Sequence, residues 1–311
     1  MPPHEIDISW QVLRRVVQDW AGTAAELAEV KPLVGGSINV TLALKMQDGA
    51  RAVLKISPHR VSRAYQTEAW QLNVLRDVGL PTPRVYECRL GSLDAPFSYL
   101  LMEFIDGVDL TQARQRCSAE QFDHLQMHLA EMVLQMHERT SGHYRRIGPE
   151  DTPQFDTWSA FYFDIYDPIW RDIEKSPLLP VKCRKQISRL HDKLDQHLPN
   201  TDRPRLVHWD LWSTNLLAAP DDQGRWWITA ILDPNCKYAH AEAEIAYMEL
   251  FQTITPAFLR AYQQTHKLSG EYHRLRKHIY QLYPLINHVH LFGAEYIKPL
   301  LGITEKLATI V

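Results

Sequence analysis

The residues best equipped for chemistry lie in Leu206-Val-His208-Trp-Asp210-Leu-Trp-Ser-Thr-Asn215-Leu-Leu, followed by Ile231-Leu-Asp233. The spacing is H-x-D-x-x-x-x-N, and then an acidic residue closing an apolar strand. Phosphoryl transfer needs these residue types. One carboxylate orients the attacking hydroxyl and accepts its proton, while an amide oxygen and a second carboxylate hold Mg²⁺ against the β- and γ-phosphates of ATP. Mg²⁺ takes few hard oxygen ligands besides water and phosphate, so one Asn and one Asp suffice. H-x-D alone is equally well explained by a loop with an Asn turn and an N-capping Asp. The Asn five residues after Asp210, together with the strand-terminal Asp233, turns the balance toward catalysis. The expectation is Asp210 as the base and Asn215 and Asp233 as metal ligands, with His208 bracing the loop.

The first third of the chain supplies matching parts. Leu33-Val-Gly35-Gly36-Ser37-Ile-Asn39 precedes a strand, where a glycine turn brings backbone N–H groups close to phosphate. A plain turn explains it too. Lys55 sits inside the apolar strand Ala52-Val-Leu-Lys-Ile56, where an unpaired buried ammonium is costly. Glu68, near the start of the next helix, is a ready partner, and such a pair serves the α- and β-phosphates in kinases. An edge-strand lysine reaching water is the bland alternative. In register with the later motif, the pair is preferred. Leu100-Leu-Met-Glu103-Phe-Ile105-Asp-Gly107 reads as a buried strand entering a connector, with the backbone from Glu103 to Ile105 expected to meet an adenine edge and Met102 expected in the core.

These side chains need elements to position them. Residues 9–20 carry a helical apolar stripe (Trp10, Leu13, Val16, Val17, Trp20) between an N-capping Ser9 and Gly22. Val40–Leu44 and Ala52–Ile56 flank Gln47-Asp-Gly49 as a hairpin. A helix is predicted over Ala64–Val78, then strands over Arg84–Cys88 and Ser98–Phe104. Beyond Gly107 helical periodicity dominates, as in Phe122, Leu125, Leu129, Met132, Val133 and Met136. The exceptions are a turn-rich stretch over 140–157 and a β-rich island over Leu206–Leu232. Pro284 marks a kink or a helix start. The predicted class is therefore α+β, a protein-kinase-like two-lobed fold with an N-terminal antiparallel sheet plus a helix and a larger, mostly helical C-terminal lobe. The expected division is 1–105 for ATP and 106–311 for catalysis and the acceptor, with the ligand in the cleft.

Composition narrows the partners. The 311 residues are 45% hydrophobic and 23% charged with net charge −3, so no basic field exists for nucleic acid or an anionic membrane. The four cysteines (Cys88, Cys117, Cys183, Cys236) form no C-x-x-C pair, which fits a reducing compartment. No leader-like start and no apolar run of ~20 residues is present, so a cytoplasmic, membrane-free protein is expected. Fifteen histidines invite a metal. However, His288 and His290, two apart on a helix, point away from each other. His240, Glu242 and Glu244 would share a face only in a strand, and a loop entering a helix is expected there. Glu242 and Glu244 read either as attractors for an amine-bearing acceptor or as the acidic first turn of that helix. Most tryptophans read as core, and Trp212 is free to pack on either lobe or on substrate.

Taken together, these stretches resemble the aminoglycoside phosphotransferase and choline kinase superfamily, and within it the fructosamine kinase (ketosamine-3-kinase) family. Gly35-Gly-Ser-Ile-Asn39 resembles that family's Gly-rich loop. His208-Trp-Asp-Leu-Trp-Ser-Thr-Asn215 is similar to H-G-D-L-W-S-G-N. Asp233-Pro-Asn-Cys-Lys-Tyr-Ala-His-Ala241-Glu-Ala-Glu244-Ile-Ala is similar to D-P-A-x-Y-Y-G-x-R-E-x-D-L-A. Tyr280-Gln-Leu-Tyr-Pro-Leu-Ile-Asn287-His-Val-His-Leu-Phe-Gly293 resembles Y-Q-L-Y-x-L-L-N-x-x-x-L-F-G. The resemblance implies ATP and Mg²⁺, Asp210 as base, and a hydroxyl of a sugar-amine or glycated amine as acceptor. Trp209 and Thr214 depart from Gly, Ala241 from Arg, and Glu244 from Asp. These departures fall beside the acceptor, so an aminoglycoside- or choline-type kinase is the alternative of the same chemistry. A catalytically silent pseudokinase is the alternative of another class.

Overall fold

The structure, a computed structural model, describes residues 8–33, 40–58, 63–92, 97–199 and 202–310. The candidate phosphate loop residues Gly35, Gly36 and Ser37 lie outside the described residues.

Helix α1 (Trp10–Ala21) begins where the Ser9 hydroxyl accepts the Val12 N–H at 3.3 Å and ends at Gly22, whose φ is 93°. That left-handed stop is easy only for a residue without Cβ. Strands β1 (Leu27–Pro32), β2 (Val40–Met46), β3 (Arg51–Pro58), β4 (Val85–Arg89) and β5 (Phe97–Glu103) form an antiparallel sheet in the order β1-β2-β3-β5-β4. The β2–β3 turn is closed by the Asp48 carboxylate accepting the Ala50 N–H at 2.9 Å, with Gly49 at φ 89°. Strand alternation then sorts β3 by face. Leu54 and Ile56 pack with Leu13, Val16 and Val17 of α1, whereas Val53 and Lys55 face the other way. On that second face lies α2 (Ala64–Asp77), which buries Tyr65, Ala69 and Leu72 against Leu100 and Met102. Each such buried leucine stabilises the lobe by ~1.5–3 kcal/mol, and the sandwich fixes Lys55 opposite α2.

After the connector come the short β6 (Val108–Asp109), α3 (Leu110–Arg116) and α4 (Ala119–Glu138), the last started by a capping box between Ser118 and Gln121. The remainder comprises β7 (Arg145–Arg146), α5 (Trp158–Ile173), α6 (Val181–His191), β8 (Arg205–Val207), β9 (Leu216–Pro220), β10 (Trp226–Ile231) and β11 (Lys237–Ala239). Helices α7 (Ala241–Leu250), α8 (Pro256–Thr265), α9 (Lys277–Phe292) and α10 (Ile297–Ile310) close the chain. Two small sheets, β10-β9-β6 and β7-β11-β8, stand between the helices. They hold the ends of the chemistry-bearing loops: 208–215 runs from β8 to β9, and Asp233 lies between β10 and β11. The large helical core runs through α4, α5, α7 and α9.

The expected two-lobed α+β architecture is present. Helix α5 falls in the stretch read only as broadly helical; its buried Trp158, Phe161, Tyr162, Ile165, Tyr166 and Trp170 recur at helical spacing, with Pro168 inside the pattern. Pro284 falls inside α9 rather than at its start. The connector glycine, Gly107, sits at φ 158°, and a Cβ there would lie 3.1 Å from the Ala218 carbonyl oxygen.

Candidate active site

Lys55 enters the site on the α2 face of β3 with its side chain 11% exposed, and its Nζ donates to Glu68 Oε1 at 2.6 Å. Its second partner is the Asp233 carboxylate, 178 residues further on. Burial opposes the charge, but the Glu68 and Asp233 carboxylates outweigh it and raise the Lys55 pKa. The lysine is a stable ammonium joining three elements. Asp233 itself holds φ at 52°, a left-handed conformation that Asp tolerates better than most residues.

The loop after β8 is stitched to the segment around Asp233. His208, fully buried, donates from Nε2 to the Leu232 carbonyl at 3.0 Å and accepts the Asp210 N–H on Nδ1 at 3.3 Å. Burial holds the imidazole neutral, which this one-donor, one-acceptor pairing requires. The Asn235 N–H donates to the His208 carbonyl at 3.1 Å, and the Leu232 N–H to the Asn215 carbonyl at 2.9 Å. Asn215 donates from Nδ2 to the Asp210 carbonyl at 2.9 Å and to Asp210 Oδ2 at 3.2 Å. That fixes the amide so its oxygen points away from Asp210.

Two side chains of α7 grip the same loop. Glu244, fully buried, accepts the His208 N–H at 2.8 Å and the Trp209 N–H at 2.9 Å. Tyr247 donates its hydroxyl to Asp210 Oδ1. Burial pushes the Asp210 carboxyl up to about 6, against the Tyr247 hydrogen bond that lowers it, with Asp233 adding to the rise. Such a value suits a base working near neutral pH. Trp209 adopts φ 68°, where glycine would sit without strain. Its ring packs against Trp158 and Tyr283 and lies 4.9 Å from the Lys237 Nζ. Lys237, buried, donates to the Asn235 carbonyl at 2.8 Å and to Asn235 Oδ1 at 2.9 Å. Burial, with Arg146 adding to it, pulls the Lys237 pKa down to about 7.

Lys55, Glu68 and Asp233 are thus joined by ion pairs, Asp210 and Asn215 by hydrogen bonds, and backbone hydrogen bonds tie the two groups together. Glu103 and Ile105 lie where β5 runs into the connector. The Glu103 N–H donates to the Arg84 carbonyl at 2.8 Å, and the Glu103 carboxylate accepts the Arg84 N–H at 3.0 Å. Neither Glu242 nor Glu244 is free to attract an amine. Glu244 is committed to the loop, and both Glu242 oxygens accept from Arg276 at 2.7 Å. The expected loop entering a helix is present, with His240 preceding α7. Trp212 is 37% exposed, with its ring 6.3 Å from that of Phe251.

Sequence reasoning missed Tyr247, Lys237 and Gln71. Gln71 on α2 donates to the Ile147 carbonyl at 2.6 Å and accepts the Cys236 N–H at 2.9 Å, so it ties α2 to the second lobe. Only Tyr247 had a signal, being three residues after Glu244 and therefore on the same helical face. Among the described residues no group of three His, Cys, Asp or Glu forms a metal cage. Asn215 and Asp233 instead offer one amide and one carboxylate oxygen, the sparse hard-oxygen set that fits Mg²⁺ carried in with phosphate.

A sequence model of the fructosamine kinase family matches residues 9–309, and the chain belongs to that family. A "probable ketoamine kinase" of Enterococcus faecium is 29% identical over 269 residues, covering 86% of this chain and 91% of its own length. The solved structure of a "putative fructosamine-3-kinase" from Thermobifida fusca superposes with TM-score 0.76 at 23% identity, covering 97% of this chain and all of that one. A thermostable mutant of the aminoglycoside phosphotransferase APH(4)-Ia, solved in ternary complex with AMP-PNP and hygromycin B, gives TM-score 0.67 at 19% identity, covering 96% of this chain and 97% of that one. Both likenesses establish the two-lobed kinase-like fold. No helix among the described residues is long and apolar enough to cross a membrane.

Proposed function

We propose that the protein is an ATP- and Mg²⁺-dependent kinase that phosphorylates a hydroxyl of a ketosamine, a sugar joined to an amine that is either free or part of a glycated protein. The observation carrying this reading is the junction of Lys55, Glu68 and Asp233 beside the Asp210–Asn215 pair. In the first three, Lys55 supplies positive charge for a triphosphate, Glu68 steadies it and Asp233 supplies a carboxylate for the metal, and the second pair supplies a base next to an amide oxygen. The name of the Enterococcus faecium relative supports the acceptor class, and the AMP-PNP in the structural neighbour supports ATP as donor.

In this reading residues 1–105 form the nucleotide lobe and 106–311 the acceptor lobe. Lys55, steadied by Glu68, binds the α- and β-phosphates, and the backbone from Glu103 to Ile105 meets the adenine. Gly35, Gly36 and Ser37 are assigned to the phosphates on sequence alone. Asn215 and Asp233 would hold Mg²⁺, which when bound would neutralise charge on the phosphates. The acceptor O–H gives its proton to the Asp210 carboxylate as its oxygen bonds to the γ-phosphorus. The bond from that phosphorus to the β–γ bridging oxygen breaks, and ADP leaves. The four free thiols fit the reducing cytoplasm as the working compartment.

The test is an acceptor panel at fixed Mg·ATP with ADP release and phosphorylated product both measured. Transfer to fructosyl- or ribulosyl-amines, abolished in Asp210→Ala, is the expected result. Preference for an aminoglycoside or a choline-type alcohol would move the acceptor class. Nucleotide binding without transfer to any acceptor would leave a silent pseudokinase.

A further inference from the structure

Helix α7 holds the catalytic loop at two levels. Glu244 and Tyr247 are three residues apart, so they project from one face of the helix. Glu244 fixes the backbone by accepting the N–H groups of His208 and Trp209. Tyr247 reaches one residue further and donates to the Asp210 side chain at Oδ1. The other carboxylate oxygen, Oδ2, accepts from Asn215 Nδ2 at 3.2 Å. Both oxygens of the candidate base are therefore held, one by its own loop and one by a helix with no other part in the chemistry.

The phenol is suited to this task. Its ring packs on Phe251 with centroids 4.7 Å apart. Burial, with the Asp210 charge adding to it, raises the Tyr247 pKa well above the ordinary value of 10.0. The hydroxyl stays protonated at any working pH and faces Asp210 only as a donor. A carboxylate held by a single hydrogen bond swings about its Cβ–Cγ bond, and displacing a reacting group by ~1 Å costs up to ~100-fold in rate.

Building on the assignment of Asp210 as the base, we infer that Tyr247 is a positioning residue for phosphoryl transfer: its hydroxyl pins Asp210 Oδ1 so that the remaining carboxylate lone pairs meet the acceptor hydroxyl. The proton still passes from the acceptor to Asp210, and Tyr247 keeps its own.

The experiment compares wild type, Tyr247→Phe and Phe251→Leu in the full-length protein. ATP, Mg²⁺ and a fructosyl-amine acceptor are supplied, with ADP and phosphorylated acceptor quantified in parallel. For Tyr247→Phe, kcat for transfer is expected to fall at least tenfold while KM for ATP stays within twofold. The ratio of ADP released to acceptor phosphorylated is expected to rise, because nucleotide stays in place while the acceptor loses its aligned base. A merely structural role would not shift that ratio. Phe251→Leu, which removes the ring partner but no hydrogen bond, is expected to keep kcat within threefold. Wild-type kcat and coupling in Tyr247→Phe would overturn the inference, as would equal losses in both variants. A wild-type protein that transfers nothing to any ketosamine would overturn the functional proposal and this inference with it.

Discussion

Asp210 sits between two demands that its surroundings do not reconcile equally. As the proposed base it must be ionised, and burial opposes ionisation strongly enough to lift its pKa from 3.8 to about 6 despite the Tyr247 and Asn215 hydrogen bonds. The rate of transfer is expected to fall about tenfold per pH unit below about 6 and to level off above it. A pH–rate profile that is flat down to pH 5 would remove Asp210 from that role. The same shift has a sign for stability. A carboxyl whose folded pKa is raised binds its proton more tightly in the folded state, so it costs stability as pH climbs from the unfolded value through the folded one. Asp210→Asn is therefore expected to lose ~10²–10⁴-fold in turnover and yet to melt at a higher temperature than wild type at pH 7.5. Melting curves should converge as pH falls toward 4, and a variant less stable than wild type at pH 7.5 would contradict the account.

At the scale of elements, the loop between β8 and β9 shows what local sequence can and cannot convey. The spacing of His208, Asp210, Asn215 and Asp233 was readable because phosphoryl transfer fixes residue types at short separations. Lys55 and Glu68 were readable for a different reason: a charge inside an apolar strand needs a partner, and the next helix supplied one. The grip of α7 was not readable, since helical periodicity says which residues share a face but not what that face meets. Glu244 was legible as part of an acidic first turn, which it is, but not as a buried clamp on the loop. Helix α5 was not singled out because Pro168 interrupts its pattern. Trp209 tests how the pieces weigh against each other. Glycine at φ 68° would relieve ~1–2 kcal/mol of backbone strain, but it would delete a ring that is 8% exposed and packed on Trp158, Tyr283 and Lys237. Losing a buried tryptophan costs ~3–5 kcal/mol, so packing wins. Trp209→Gly is expected to destabilise the protein by ~1–4 kcal/mol in urea unfolding. A stabilised variant would mean that the backbone strain outweighs the packing.

At the scale of the whole molecule, the two lobes are joined among the described residues by neutral contacts and by ion pairs, the exposed Arg63–Glu150 and Arg51–Asp106 and the more buried Lys55–Asp233. The Ile231 N–H donates to the Pro81 carbonyl at 2.8 Å, and Gln71 bridges to Ile147 and Cys236. These have no reason to change when ligand arrives. The Lys55–Asp233 pair does, because it occupies the charges that the proposal gives to phosphate and Mg²⁺. Nucleotide with Mg²⁺ would bring anions to Lys55 and a cation to Asp233, replacing one cross-lobe attraction with several. By mass action a ligand at a hundred times its Kd stabilises the folded state by ~2.7 kcal/mol, a rise in Tm of ~4 °C for a chain of this size. Mg·AMP-PNP is expected to give a shift of that order in wild type and a much smaller one in EDTA. In Lys55→Met the shift should nearly vanish. Without ligand, that variant leaves Glu68, whose side chain is 15% exposed, without its ammonium, and breaking such a pair costs ~3–5 kcal/mol unless the carboxyl takes up a proton. The variant should therefore regain stability relative to wild type as pH is lowered. If Lys55→Met kept the full nucleotide-induced shift, the lysine would be only a strut between lobes, and the phosphates would have to bind elsewhere.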